Sequence, residues 1–402
     1  MKNALLLIFL FLTRLGNAQD TLFLKGKIVD EEQLFPISNA TIQIGDNQAI
    51  SDKLGLFSII VLSNQLHTNG INISASGFQK LHLTDINDSS FLYLTLSPLV
   101  KSYSDNVSVT FGGKDIIRRV YENISKNYET HAFNQTVIQF TQTHIDDTVY
   151  SLNDLAELKL YNSGLDKKKN SFQIQLLQNK QLLKDFPIEV KESKENMNWY
   201  LIGAYELFPK SDVVFNNYSF LDTSHWNNYA YKLMSKTKWK NRSVYPIRFN
   251  TIDSAKAGIE GVVMIDSATY AVIHVNMHSN WEMRQEMAKR NKGTDFFDQN
   301  SIQYYYDGKY WKLESVHLEG YQIRSFKKKN HQFDFIEDII NYPKTYPSVE
   351  KIPFFKRVIH SAKLSSFNTP GTDESWKPIL DFIHTDSFRK EFPWINLSLF
   401  GF

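Results

Sequence analysis

Leu24-Lys25-Gly26-Lys27-Ile28-Val29 and Ala40-Thr41-Ile42-Gln43-Ile44 each alternate apolar with polar residues. Period two is the mark of a strand with one buried face. Turn clusters separate such runs: Asp30-Glu31-Glu32, Gly45-Asp46-Asn47, Ser51-Asp52-Lys53-Leu54-Gly55 and Ser76-Gly77. The span Leu24 to Leu96 therefore reads as one small all-β domain. Within it, Asp52 is placed to cap backbone N–H groups and Gly55 to take a positive φ. Phe57 and Ile59 then alternate into a core. A lone Asp52 is a turn cap and not a calcium ligand, because calcium takes roughly six to eight oxygens.

The N-terminus supplies an address. Lys2 precedes an unbroken apolar run of nine residues, Ala4 to Leu12, and Gly16-Asn17-Ala18 offers small residues for a peptidase. This predicts a signal peptide over 1–18, cut before Gln19. Nine residues span about 14 Å as a helix, about half a bilayer core, so a retained anchor is the weaker reading. No Cys follows that could carry a lipid. The chain is expected to be exported to the periplasm or the outer-membrane surface.

Zero cysteines in 402 residues removes thiol catalysis, Cys-ligated zinc and iron–sulfur clusters, and fits a bacterial envelope protein better than a eukaryotic secreted one. A net charge of +2, from 45 basic and 43 acidic residues, points to no nucleic-acid partner. Aromatics make up 14%, as expected of broad sheets whose faces are covered by rings.

The first domain resembles the carboxypeptidase-regulatory-like domain common in Bacteroidota envelope proteins. The resemblance lies in an ordered set of segments over about 75 residues: Gly26 to Asp30, Pro36 to Ile42, Ser51 to Phe57, Ile73 to Phe78, and the alternating Leu92, Leu94 and Leu96 before Pro98. Ser51 stands where Thr is commoner in that family. The resemblance implies a seven-stranded transthyretin-like β-sandwich over 19–98. It implies no peptidase: no His is followed three residues later by Glu, and His82, His144 and His331 have only Asp85, Asp147 and Asp334 at that spacing.

After the polar connector Lys101 to Asn106, the residues Ile116, Ile117, Val120, Tyr121, Ile124 and Tyr128 recur at helical spacing. Asp115 is the expected N-cap of this packing helix, which with its linker occupies 99–130. Gly112-Gly113-Lys114 lacks the first Gly and the Ser or Thr of a phosphate loop.

From Asn134 to about Gln332 the period is again two. Gly261 to Ile265 and Tyr270 to Val275 form one expected hairpin; Ile302 to Tyr306 and Tyr310 to Val316, joined through Asp307-Gly308, form another of type I′. Glu282 to Arg290 reads as a short helix between them. Hairpins without crossover helices imply an antiparallel meander over 131–341. The order of elements resembles the second domain of an uncharacterised Bacteroidota family, through Ile117 to Ile124, Ile247-Arg248-Phe249, Gly261 to Asp266 and Tyr306 to Trp311. It is also similar to lipoprotein-carrier half-barrels, which implies a curved sheet able to hold acyl chains.

Chemistry-bearing clusters are few. His274, Asn276 and His278 share one strand face, but without a third ligand they read as an exposed polar face and not a metal site. Asp222, Ser224 and His225 are triad residue types without the spacing of a nucleophile elbow, and read as a loop. Asp146, Asp147 and Asp253 read as turn residues, and Lys167–Lys169 and Lys327–Lys329 as solvated hairpin tips. The tail, 342–402, carries Pro343, Pro347 and Pro353 and then Trp376, Trp394, Phe400 and Phe402. Rings in such number argue for docking on the body of the protein or on a partner.

The sequence thus predicts a mostly β chain: an N-terminal β-sandwich, a curved antiparallel, half-barrel-like sheet and one packing helix. No catalytic, cofactor-binding or metal-binding residue is assigned, and no cofactor. The expected function is non-catalytic binding or scaffolding in the cell envelope, with an envelope protein or outer-membrane complex as partner. The alternatives are a lipid or lipoprotein-carrier-like protein holding an apolar ligand, and a cryptic hydrolase.

Overall fold

A computed structural model describes residues 21–31, 34–84, 91–99, 112–146, 150–165, 171–183, 207–216, 220–253, 255–290, 293–326, 328–358, 369–392, 395 and 400. The signal peptide, the 101–106 connector, Asp147, Lys167–Lys169, Lys327, Trp394 and Phe402 lie outside the described residues. The chain divides into two compact units, Met1–Tyr103 and Ser104–Phe402.

Among its described residues the first unit has seven strands in two sheets. Strands β1 (Thr21–Asp30), β4 (Leu56–Leu62) and β7 (Phe91–Leu96) form one sheet in the order β4-β1-β7. In it β1 pairs antiparallel with β4 and parallel with β7. Strands β2 (Thr41–Ile44), β3 (Asn47–Ile50), β5 (Ile71–Ser74) and β6 (Leu81–Leu83) form the other, in the order β3-β2-β5-β6. Alternate residues from both sheets, among them Leu24, Ile28, Ile42, Ile44, Phe57, Ile59, Ile73 and Leu94, meet in one apolar core.

The expected turn chemistry is present. Asp52 Oδ1 accepts from the N–H groups of Leu54 and Leu56, each at 2.9 Å, and Gly55 lies at φ +75°. Ser51 is buried; its hydroxyl accepts from Ala40 N–H at 2.9 Å and donates to Ile37 O at 2.7 Å. Gly26 is fixed by close approach, since a Cβ there would sit 2.5 Å from Leu92 O.

Two features of this unit go beyond what alternation shows. Alternation places Lys27 on a polar, solvated face, yet the residue is 2% exposed, and Val29 on the same face of β1 is buried with it. Burial lowers its ammonium to about 7, against the pull of Asp52. A short helix, α1 (Ser63–Asn69), follows β4 without an alternating or helical signal strong enough to announce it; Leu66 anchors it in the core.

The second unit is built on one open antiparallel sheet of 11 strands. Its order is β10-β9-β8-β18-β17-β16-β15-β14-β13-β11, with β12 also paired to β13. Strands β8 (Phe133–Ile145), β9 (Tyr150–Asn162) and β10 (Phe172–Leu183) make one meander. Strands β11 (Tyr229–Leu233), β12 (Thr237–Trp239), β13 (Arg242–Thr251), β14 (Ile259–Asp266), β15 (Val272–Ser279), β16 (Gly293–Tyr306), β17 (Trp311–Phe326) and β18 (Lys329–Tyr342) make the other. The two meanders are joined by the long-range pairing of β18 with β8, from Phe333↔Ile145 to Tyr342↔Thr136.

The expected packing helix is α2 (Gly113–Asn127), one turn earlier than Asp115 suggested. Asp115 is its third residue, not its cap: the carboxylate accepts from Gly112 N–H at 3.0 Å, the reciprocal half of a capping box. Ile116, Ile117 and Val120 are buried, and Tyr128 just past the helix both donates to Val272 O at 3.0 Å and accepts from Val272 N–H at 2.7 Å. The helix is thereby pinned to β15.

Both hairpins form. In the second, the turn hydrogen bond runs from Asp307 N–H to Tyr310 O at 3.0 Å, and of its residues only Gly308 has a positive φ. A type I′ turn needs two such residues, so the turn is of another kind; Asp307 Oδ1 holds it by accepting from Lys309 and Tyr310 N–H, each at 2.8 Å.

The sequence announced one packing helix and a second short one; among the described residues the second unit has five. After α2 come α3 (Leu207–Ser211), α4 (Trp281–Arg290), α5 (Asp373–Ile383) and α6 (Asp386–Glu391). The last two answer the question posed by the aromatic tail. Trp376, Ile379, Ile383, Phe388, Phe392 and Phe400 pack on Ile138, Phe140, Leu155 and Ile340 of the sheet. The described part of the tail docks on the body.

Candidate functional site

The two faces of the large sheet differ. On the face covered by α5 and α6, the register aligns Asn276, Ser301, His317 and Asp338 across four neighbouring strands. His278, Gln299 and Glu319 form the next row. The opposite face carries α2 and, beside it, a cleft.

That cleft is lined by eight rings: Tyr128, Phe133, Tyr161, Phe172, Phe208, Phe215, Tyr304 and Trp311. Leu160, Leu165, Val214 and Leu313 add aliphatic surface, and Glu129, Gln135, Asn162, Asp212 and Lys312 add polar groups. The lining reaches from β10 and β9, through β8, to β17 and β16. Strands β10 and β16 are five places apart, which on a flat sheet means about 24 Å at the usual spacing. One small cleft touching both shows that the sheet curls, with the cleft in its concavity. Its free volume is ≈ 40 Å³. Rings fill the rest: Phe208, Phe215, Tyr304 and Trp311 are all buried.

The segment Leu207 to Phe215 forms the roof, and a hydrogen-bonded knot fastens it to the sheet. Tyr304 Oη donates to Asp212 Oδ1 at 2.8 Å and accepts from Val213 N–H at 3.1 Å. Asp212 Oδ1 also accepts from Val214 and Phe215 N–H, at 3.1 and 3.0 Å. Burial among the rings pushes the Asp212 carboxyl up, while these hydrogen bonds pull it down; the net direction is upward. Burial likewise raises the phenol of Tyr304, and the Asp212 charge adds to it. The pair is a latch between roof and sheet.

The residue groups singled out by sequence fall elsewhere. His274, Asn276 and His278 do share one face of β15, but His274 and Asn276 are buried, correcting the exposed face expected of them. His274 Nε2 faces Asn276 Oδ1 at 3.1 Å and its ring stacks near Trp239, with centroids 4.6 Å apart. Burial lowers its imidazole to about 4. Among the described residues no group of three or more His, Asp or Glu side chains is arranged to hold a metal ion.

Asp222, Ser224 and His225 do come together, which their spacing gave little reason to expect. Ser224 Oγ donates to Asp222 Oδ1 at 2.8 Å, and His225 Nδ1 lies 3.0 Å from both Ser224 Oγ and Asp222 Oδ2. A catalytic relay uses opposite ring nitrogens for serine and carboxylate. Here one nitrogen serves both, Ser224 spends its proton on the carboxylate, and the cluster is exposed. Asp222 also accepts from Ser224 N–H at 2.9 Å, which draws its carboxyl below the usual range and marks a capped turn. Asp146 and Asp253 are turn residues as read: Asp146 has φ +49° and accepts from Gln332 N–H, and Asp253 accepts from Ala255 N–H.

No protein-family model and no curated protein matches the sequence. Solved structures give loose likenesses. A protein described as an outer membrane lipoprotein-sorting domain from Vibrio parahaemolyticus has 11% identity over 58% of this chain and 94% of its own, with a TM-score of 0.23. A DUF1329 family protein from Desulfovibrio piger has 9% identity over 57% and 91%, with a TM-score of 0.25. A LolA superfamily protein from Nitrosomonas europaea has 8% identity over 60% and 99%, with a TM-score of 0.20. Likenesses this loose establish neither the fold nor the function of this chain. Among the described residues no helix is long and apolar enough to cross a membrane.

Proposed function

We propose that this chain is a non-enzymatic binding protein of the bacterial cell envelope, and that the ring-lined cleft in the curved sheet is where it holds an apolar ligand of the acyl-lipid class. One observation carries the reading: five rings from both flanks of one curled sheet, Phe133, Tyr161, Phe172, Tyr304 and Trp311, converge with Tyr128 under a short roof that brings Phe208 and Phe215 and that the Tyr304 phenol helps to fasten. Apolar walls with a few convergent polar groups are the common form of a small-ligand site. In the N-terminal unit, seven strands in two sheets with the Asp52 and Ser51 turns support a carboxypeptidase-regulatory-like sandwich, serving as a contact module.

The free space, ≈ 40 Å³, is far below the roughly 300 Å³ at which ligand pockets begin. An acyl chain therefore enters only when Phe208 and Phe215 swing out with the roof. The same number favours the second reading, a scaffold whose sheet face is simply filled and whose partner is another envelope protein. Native mass spectrometry of protein purified from its own periplasm separates the two. A co-purifying lipid, displaced by a fluorescent fatty acid, supports the carrier; a co-purifying protein with no apolar ligand bound or exchangeable sinks it.

A further inference from the structure

The run Glu350-Lys351-Ile352-Pro353-Phe354-Phe355-Lys356-Arg357-Val358 presents two rings to solvent: Phe354 is 71% exposed and Phe355 83%. Exposing one large apolar side chain is ordinary; exposing an adjacent pair on a fixed turn is not. The turn is held from both ends. Ile352 is buried and its N–H donates to Gln173 Oε1 at 2.9 Å, while Val358 N–H donates to Ile174 O at 2.8 Å. Between them a 3₁₀ turn, Phe354–Lys356, is closed by Lys356 N–H to Pro353 O at 2.9 Å. Arg357 Nε donates to Ile352 O at 2.8 Å, and its guanidinium lies 5.9 Å from the Phe354 ring.

Charge complements the rings. Lys351, Lys356 and Arg357 flank them, and Glu350 is the one acid in the run. Its backbone is tied back to Asn134, with Asn134 Nδ2 donating to Glu350 O at 2.9 Å. Two protruding rings on a rigid turn, bracketed by cations, match the lipid–water interface, where rings enter the acyl boundary and cations meet anionic headgroups.

We propose that Phe354 and Phe355 are an interfacial anchor through which this chain docks on an anionic bilayer. The place of the anchor adds to the argument. Gln173 and Asn134, which hold the run, lie at the same ends of β10 and β8 as Phe172, Phe133 and Gln135 of the cleft lining, on the other face of those strands. Docking sets that corner of the sheet against the membrane, and this orienting role rests on the carrier reading above.

The test is co-sedimentation of the full chain with vesicles of phosphatidylcholine plus phosphatidylglycerol, against vesicles of phosphatidylcholine alone. Binding is expected to the first, to weaken with added salt, and to fall on the order of tenfold for each ring removed in Phe354→Ser and Phe355→Ser. Lys351→Glu with Lys356→Glu is expected to abolish the preference for the anionic vesicles. These positions are exposed, so unchanged melting curves check that the variants fold. The anchor is refuted by no binding to anionic vesicles, by binding that survives loss of both rings, or by ring variants that only turn a dimer into a monomer. Binding without any lipid in the cleft leaves the anchor standing and sinks the carrier.

Discussion

Tyr304 and Asp212 are joined across the mouth of the concavity: the phenol on β16 donates to the carboxylate at 2.8 Å and accepts from the next residue's N–H at 3.1 Å. Both partners are raised by burial, so at neutral pH the phenol keeps its proton to donate. Removing the hydroxyl leaves the Val213 N–H and one Asp212 lone pair unmet in an apolar place. Tyr304→Phe is expected to cost about 1–3 kcal/mol. It is also expected to speed exchange of a fluorescent fatty acid, read by stopped flow. An unchanged exchange rate with lowered stability means that the roof does not gate the cleft.

Glu337 predicts an alkaline weakness. Burial first, and the Asp338 charge second, raise its carboxyl from 4.5 to about 8, and its Oε2 has no hydrogen-bond partner among the described residues. Between those two values the folded chain holds a proton that the unfolded chain has lost, so stability falls as pH rises. Glu337→Gln mimics the protonated form. It is expected to melt like the parent at pH 5 and to gain about 1–3 kcal/mol by pH 8. Parallel melting curves across that range contradict the assignment.

His274 sets the opposite limb. Its imidazole is held down to about 4, so the stability it brings is complete above its ordinary value of 6.5 and is lost as pH falls toward 4. In the same thermal melts, His274→Gln is expected to lose less stability than the parent between pH 6.5 and pH 4.

The docking of the tail rests on a few rings. Phe140 meets Phe400 at 5.5 Å and Phe388 at 6.4 Å between centroids. Phe140→Ala is expected to cost about 3–5 kcal/mol in chemical denaturation. A cost under about 1 kcal/mol shows that the tail contributes little to the second unit.

The Asp222–Ser224–His225 turn is expected to be chemically inert. A fluorophosphonate probe should leave Ser224 unlabelled, and Ser224→Ala should change stability by no more than about 1 kcal/mol. Labelling at Ser224 revives the hydrolase.

Much of this architecture was legible because its signals are local. The alternation in β1 and β2, the Asp52–Gly55 turn and both hairpins follow from neighbouring residues. What escaped reading depends on partners distant in the chain. Lys27 looks polar by period, but the face of β1 that it shares with Val29 is buried. His274 looks exposed by the same rule, and Trp239 covers it. Helix α5 carries a real signal, with Thr372 accepting from Ser375 N–H as N-cap and Trp376, Ile379 and Ile383 at helical spacing. Pro378 inside it reads as a breaker and hides that signal. The cleft itself was not readable, since Phe172, Phe208 and Trp311 meet only after β18 pairs with β8.

The outer rim of β10 is closed by the chain's own later residues: Val358 N–H reaches Ile174 O, and Asn179 N–H reaches Thr369 O at 2.8 Å, with Thr369 N–H returned to Asn179 Oδ1. An unpaired rim recruits other strands. Because synthesis is vectorial, β10 emerges long before the residues that cover it. Until then that rim is open to pairing with other chains, and premature termination between β10 and Val358 is expected to leave it so.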